Sequence, residues 1–154
     1  MKQATSNERE AIRFEVVSQD DRFAFLTKHL GDFGVYAEHL AHQSLRDMAS
    51  AYKGGYWEYY RLSNGGFFIA PVAPESGPDK LRLVIPSVRF DKDVSYQAAG
   101  IIATGFGINL TIESSANTDS RDNKDYPKLR DQICKMFDYF PYHAEQRKLY
   151  AAFR

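Results

Sequence analysis

Cysteine is almost absent: Cys134 is the only one among 154 residues, which excludes an internal disulfide framework and a cysteine-cluster zinc site and fits a reducing compartment. No apolar core of a targeting segment follows the polar stretch Met1 to Glu10, so the expected location is cytoplasmic and residues 1–10 are expected to form a flexible tail. Net charge is missing too. Twenty basic residues balance twenty acidic ones, with −2 over residues 1–51, +1 over 52–112 and +1 over 113–154. A protein that grips duplex DNA through its phosphates needs a basic stripe, and one that imitates DNA needs dense carboxylates. Neither block exists here, so strong duplex DNA binding is not expected.

Catalytic constellations are also lacking. His39 and His42 are three apart beside Glu38, whereas zinc proteases need two histidines four apart with a base between them, so both read as surface histidines. Cys134, among Ile133, Met136 and Phe137, has no adjacent histidine or glycine turn to activate a thiolate and reads as a core or semi-core residue. Gly105-Phe106-Gly107 lacks the third glycine of a dinucleotide loop, no phosphate loop is present, and no serine sits in a nucleophile elbow. Glu58, Asp91 and Asp93 have no spacing that fixes them together. The expectation is a protein without catalytic residues, bound metal or cofactor.

What the chain does have is a concentration of aromatics. Residues 52–71 carry seven of its 22 aromatic residues and its only tryptophan, around an Asn64-Gly65 pair. That pair between alternating apolar residues is a hairpin signal, and a two-residue type I′ turn sets Leu62 opposite Phe67, Arg61 opposite Phe68, Tyr60 opposite Ile69 and Tyr59 opposite Ala70. Alternation then puts Tyr60, Leu62, Phe67 and Ile69 on one face, and Trp57, Tyr59, Arg61, Phe68 and Ala70 on the other. Both faces are apolar. The hairpin is therefore either sandwiched between layers or offers an aromatic face to a partner, and Trp57, Tyr59, Arg61 and Phe68 suit either a protein interface or stacked single-stranded bases.

The remaining elements follow from periodicity. Ile12, Phe14 and Val16 alternate in a short strand or an extended lead-in. A helix from Asp20 to Gly31 has Phe23, Leu26 and Leu30 on one side, and a second runs from about Asp32 to Ala51, with Gly54-Gly55 as its stop signal. Lys80 to Pro86 reads as a third strand completing an antiparallel meander with the hairpin. Val94 to Ile112 holds no charge in 19 residues, but its polar residues and glycines argue against lipid. It reads as a buried helix capped by Ser95, with a small-residue ridge of Ala99, Ala103 and Gly107 against the sheet. Asp125 reads as an N-cap with Pro127 in the first turn, followed by Leu129, Ile133, Met136, Phe137 and Phe140, and a last helix starts near Tyr142. One α+β domain results, with a small antiparallel sheet of about three strands around a central hairpin and about five helices.

The hairpin residues Gly54-Gly55-Tyr56-Trp57-Glu58-Tyr59, Leu62-Ser63-Asn64-Gly65-Gly66-Phe67 and Ala70-Pro71 resemble the signature of the ArdB/KlcA antirestriction family, and Ala98-Ala99-Gly100-Ile101, Ala103 and Asn109 resemble its second block. The resemblance implies a small cytoplasmic protein of mobile genetic elements that relieves type I restriction of incoming DNA. Its partner would be a type I restriction-modification enzyme or a host intermediary. Zero net charge adds that it would act by protein contact rather than acidic DNA mimicry; the alternative is a single-stranded nucleic-acid binding module. Candidate partner-binding residues are Trp57, Glu58, Tyr59, Arg61 and Asn64, the polar three because they project from the hairpin.

Overall fold

A computed structural model describes residues 10–154, so the tail expected at residues 1–10 lies, Glu10 apart, outside the described residues. The element order is β1 (Phe14–Val16), α1 (Arg22–Leu30), α2 (Gly34–Met48), β2 (Trp57–Leu62), β3 (Phe67–Pro71), β4 (Lys80–Ile85), β5 (Phe90–Ser95), α3 (Tyr96–Ser115), α4 (Tyr126–Tyr139) and α5 (Gln146–Ala152). This is the expected α+β class, but the strands are partnered differently. Instead of a β2-β3-β4 meander, a three-stranded sheet runs β1-β2-β3 and a separate two-stranded sheet pairs β4 with β5. Eight residues with Pro74, Gly77 and Pro78 separate β3 from β4 and free the latter to pair forward with Phe90–Ser95.

The buried helix is the organising element. Ser95 caps α3 by accepting a hydrogen bond from the Ala98 N–H at 3.0 Å, as its position predicted. Every residue from Ala98 to Gly105 is buried, because α2, β3, α4 and α5 surround the helix. Ala99, Ala103 and Gly107 are buried as expected, yet Gly107 meets α2: a Cβ there would lie 2.7 Å from the Ala37 carbonyl oxygen and the Ala41 nitrogen. Gly100 meets the sheet instead, where a Cβ would fall 2.2 Å from Ala70 Cα. No helix among the described residues is long and apolar enough to cross a membrane.

The first helix buries a different face from the one expected. In α1 the buried residues are Phe25, Leu26, His29 and Leu30, while Phe23 is 99% exposed, because the helix starts at Arg22 and rolls Phe23 outward. In α2 the buried face is Ala37, Ala41, Ser44, Leu45 and Met48, and Tyr36 is exposed. Asp125 is buried but caps no N–H of α4; its Oδ2 accepts the Asp32 N–H at 3.0 Å, tying α4 to the turn between α1 and α2. Those bonds, Lys128 beside it and Lys124 hold its carboxyl below the usual carboxylate range. Cys134 is exposed on α4 rather than in the core.

Candidate functional site

The hairpin tip departs from a two-residue turn. Leu62 N–H donates to Gly66 O at 2.9 Å and Gly65 N–H to Leu62 O at 3.0 Å, closing a three-residue loop over Ser63, Asn64 and Gly65. Gly65 has φ 91°, whereas Arg89 is the only described non-glycine residue with positive φ, so Asn64 does not adopt the conformation a type I′ turn requires. The extra loop residue shifts the register by one: Arg61 pairs with Phe67, Tyr60 with Phe68, Tyr59 with Ile69, Glu58 with Ala70 and Trp57 with Pro71. A shift of one exchanges the faces of one strand relative to the other. Phe68 consequently stacks on Tyr60, ring centroids 4.5 Å apart, and lies on the opposite face from Trp57 and Tyr59.

Both faces are covered, so the sandwich reading is the one observed. Trp57, 6% exposed, donates from Nε1 to Tyr52 Oη at 2.6 Å and lies 4.2 Å from the His42 ring of α2. Tyr59 turns its ring edge to Phe25 of α1 and donates its hydroxyl to Glu38 of α2. Burial first, then the Glu38 carboxylate, pushes that phenol above its ordinary value. On the other face Phe68 is fully buried against Tyr139 of α4. The aromatics a single-strand stacking surface would need are inside the protein and divided between two faces.

The polar candidates are held by residues far away in sequence. Glu58 pairs with Arg22 of α1, whose guanidinium also donates to the Trp57 carbonyl at 3.4 Å and lies over the rings of Tyr56 and Tyr59 at 4.8 and 5.3 Å. Arg61 reaches Glu15 of β1 at 3.1 Å. Asn64 accepts the Gly66 N–H at 3.0 Å and donates to the Lys135 carbonyl of α4 at 3.0 Å. All five sequence candidates thus cluster on one hairpin, each with a partner from another element. Arg22 and Glu38 escaped sequence reasoning because nothing local marks a helix residue that will meet a strand more than twenty positions on. His42 belongs to this layer too: burial lowers its pKa, with Arg46 and His39 adding to the effect and Glu38 opposing it, and its buried Nε2 has no partner.

The exposed parts of the hairpin are its two ends, Gly54 to Tyr56 at one and Ser63 with Gly65 at the other. The sequence profile of a family described as "Antirestriction protein" matches residues 50–153, which takes in the hairpin, the buried helix α3 and everything after them. The chain belongs to the antirestriction protein family. Relatives from Escherichia coli agree: one antirestriction protein KlcA is 33% identical over 72% of this chain and 76% of its own length, and a second is 32% identical over 88% and 89%. The putative antirestriction protein YubI of E. coli strain K12 is 30% identical over 88% of this chain and 92% of its own. The fold also matches a solved structure, at 28% identity and a TM-score of 0.81 over 97% of this chain and all of that one, from work on KlcA and ArdB reporting a novel fold and antirestriction activity against Type I DNA restriction systems in vivo but not in vitro. The profile of the antirestriction family begins at residue 50, yet the structural match takes in the N-terminal elements that hold Glu58, Tyr59 and Arg61.

Proposed function

We propose that this protein relieves type I restriction of incoming DNA by contact with a protein, either the restriction-modification enzyme or a host intermediary, in the cytoplasm and without catalysis. The observation that carries the reading is the family match, joined to a structural relative active against type I systems in vivo but not in vitro. Activity that disappears outside the cell accords with a further cellular component more readily than with simple occupation of the enzyme's DNA groove. The balanced charge supports the same view, since a DNA mimic must reproduce a phosphate array. Of the five candidate residues, Arg61 and Asn64 stand nearest the exposed tip, while Trp57, Glu58 and Tyr59 act by holding the hairpin in place.

The test is the plating efficiency of unmodified phage on a host with an active type I system, with and without the protein. Plating restored toward that on a non-restricting host is the expected result; soluble expression with no recovery rejects the proposal.

A further inference from the structure

A groove of about 620 Å³ opens beside the hairpin tip, between β1, the last turn of α1 and the turn itself. Its wall carries Arg13, Lys28 and Arg61, and Lys135 flanks it at Gly65, its Nζ 3.3 Å from where a Cβ on that residue would lie. The carboxylates among them are Glu15, 3.1 Å from Arg61, and Asp131, 3.1 Å from Lys135. Arg13 and Lys28 have no ion-pair partner among the described residues. Among the described residues that line the groove, three cations against one carboxylate leave a surplus of two on a chain whose total charge is zero, so the groove is a local concentration of positive charge, and the flanking Lys135–Asp131 pair leaves that surplus unchanged. Its inner surface includes Phe14, Leu62 and His29. His29 is packed 4.4 Å from the Phe25 ring and 5.0 Å from Phe67, its Nδ1 3.0 Å from the Phe25 carbonyl oxygen, which leaves Nε2 without a described partner.

We infer that this groove is where a carboxylate-rich segment of a protein partner docks, with Arg13 and Lys28 taking its carboxylates and Arg61 and Lys135 reinforcing them. The inference rests on the protein-contact reading above and gives that contact a place and a chemistry. A surplus of two charges suits two or three carboxylates. It falls short of the extended cationic track that a run of phosphodiesters requires. Arg61 and Lys135 each already hold a carboxylate of this chain, so the local geometry accommodates that group. The groove also adjoins the outer edge of β1: Arg13, Glu15 and Val17 direct their backbone groups toward β2, so the N–H and C=O of Phe14 and Val16 face outward, where an extended segment can bond to them.

The test uses the full chain, fluorescein-labelled hexaglutamate and labelled oligothymidylate as probes at low salt, and Arg13→Glu/Lys28→Glu as the variant, with its folding checked by circular dichroism. Both substitutions are at exposed positions. Hexaglutamate should bind the natural chain, lose roughly tenfold in affinity in the variant, and weaken with added salt. The His29 ring supplies a second readout by NMR. Burial, followed by Lys28, Arg61 and Lys135, lowers its pKa despite the opposing bond to Phe25, and a carboxylate bound among those cations should raise its titration midpoint. Absence of hexaglutamate binding, binding unaffected by the variant, or preferential capture of oligothymidylate overturns the inference. Plating separates the two proposals: a folded variant that still relieves restriction as the natural chain does removes the groove and leaves the function, whereas failure of the natural chain removes the function whatever the probes do.

Discussion

The Thr104 hydroxyl sits within hydrogen-bonding distance of both backbone polar groups of Ile69. The Ile69 N–H donates to Thr104 Oγ1 at 3.1 Å, and that hydroxyl lies 3.0 Å from the Ile69 carbonyl oxygen and 2.7 Å from the Gly100 carbonyl oxygen. Ile69 sits on the outer edge of β3, where no strand continues the sheet, so a helix side chain replaces the missing ladder. Replacing Thr104 with Val keeps the shape and removes the oxygen. The buried Ile69 N–H then has no partner, and thermal or denaturant unfolding should show a loss of about 1–3 kcal/mol. Thr104→Ser should recover most of it.

Gly100 allows that approach. A methyl group at this position would overlap the Ala70 backbone, so Gly100→Ala should destabilise by about 3 kcal/mol or more, at or beyond the upper end for overpacking. Gly54 offers the contrast: nothing lies within 4 Å of its missing side chain, and its φ of 94° alone makes alanine unfavourable, by about 1 kcal/mol. Denaturation midpoints of the two variants should rank in that order, and equal losses would refute the close-contact argument.

Arg22 holds the start of β2 through Glu58 and the Trp57 carbonyl, with side-chain exposures of 17% and 28% for the ion pair. Partial burial places its worth above that of an exposed pair. Arg22→Ala should cost about 1–3 kcal/mol, and Glu58→Gln less, because an amide still accepts from the guanidinium. A double-mutant cycle read by urea unfolding measures the coupling; additive losses would show that the two residues act separately.

Three of the four histidines, His29, His42 and His143, have lowered pKa values, in each case chiefly because burial disfavours the imidazolium. The unfolded chain takes up those protons near the ordinary value of 6.5 while the folded one does not. Stability from these groups is therefore fully present above that pH and is lost progressively as pH falls below it. The melting temperature should decline from pH 7.5 to 5.5, and His42→Gln should flatten the slope. A slope unchanged by substituting any of the three would reject this origin.

Much of the architecture could be read from residue patterns: the hairpin, the Ser95 cap, the uncharged buried helix and the α+β class all rest on local signals. The register could not. Asn64-Gly65 is compatible with both a two-residue and a three-residue loop, and the choice depends on Asn64 bonding the Lys135 carbonyl across to α4, a contact no local pattern contains. The same holds for β5, whose Asp91, Lys92 and Asp93 hide its alternation, and for Phe23, where one step of helix rotation turns a core residue outward. The five candidate residues follow from the hairpin's alternation alone, and their partners Arg22, Glu38 and Glu15 come from elements upstream in the chain that no pattern in the hairpin names.

The seal on β3 lies 35 positions downstream of the strand it closes. On a ribosome the hairpin therefore emerges before the helix that shields it, and for that interval the nascent chain presents a bare strand to its neighbours. A message broken between the two would yield fragments prone to stick together, so the yield of intact protein depends on how fast synthesis crosses that gap.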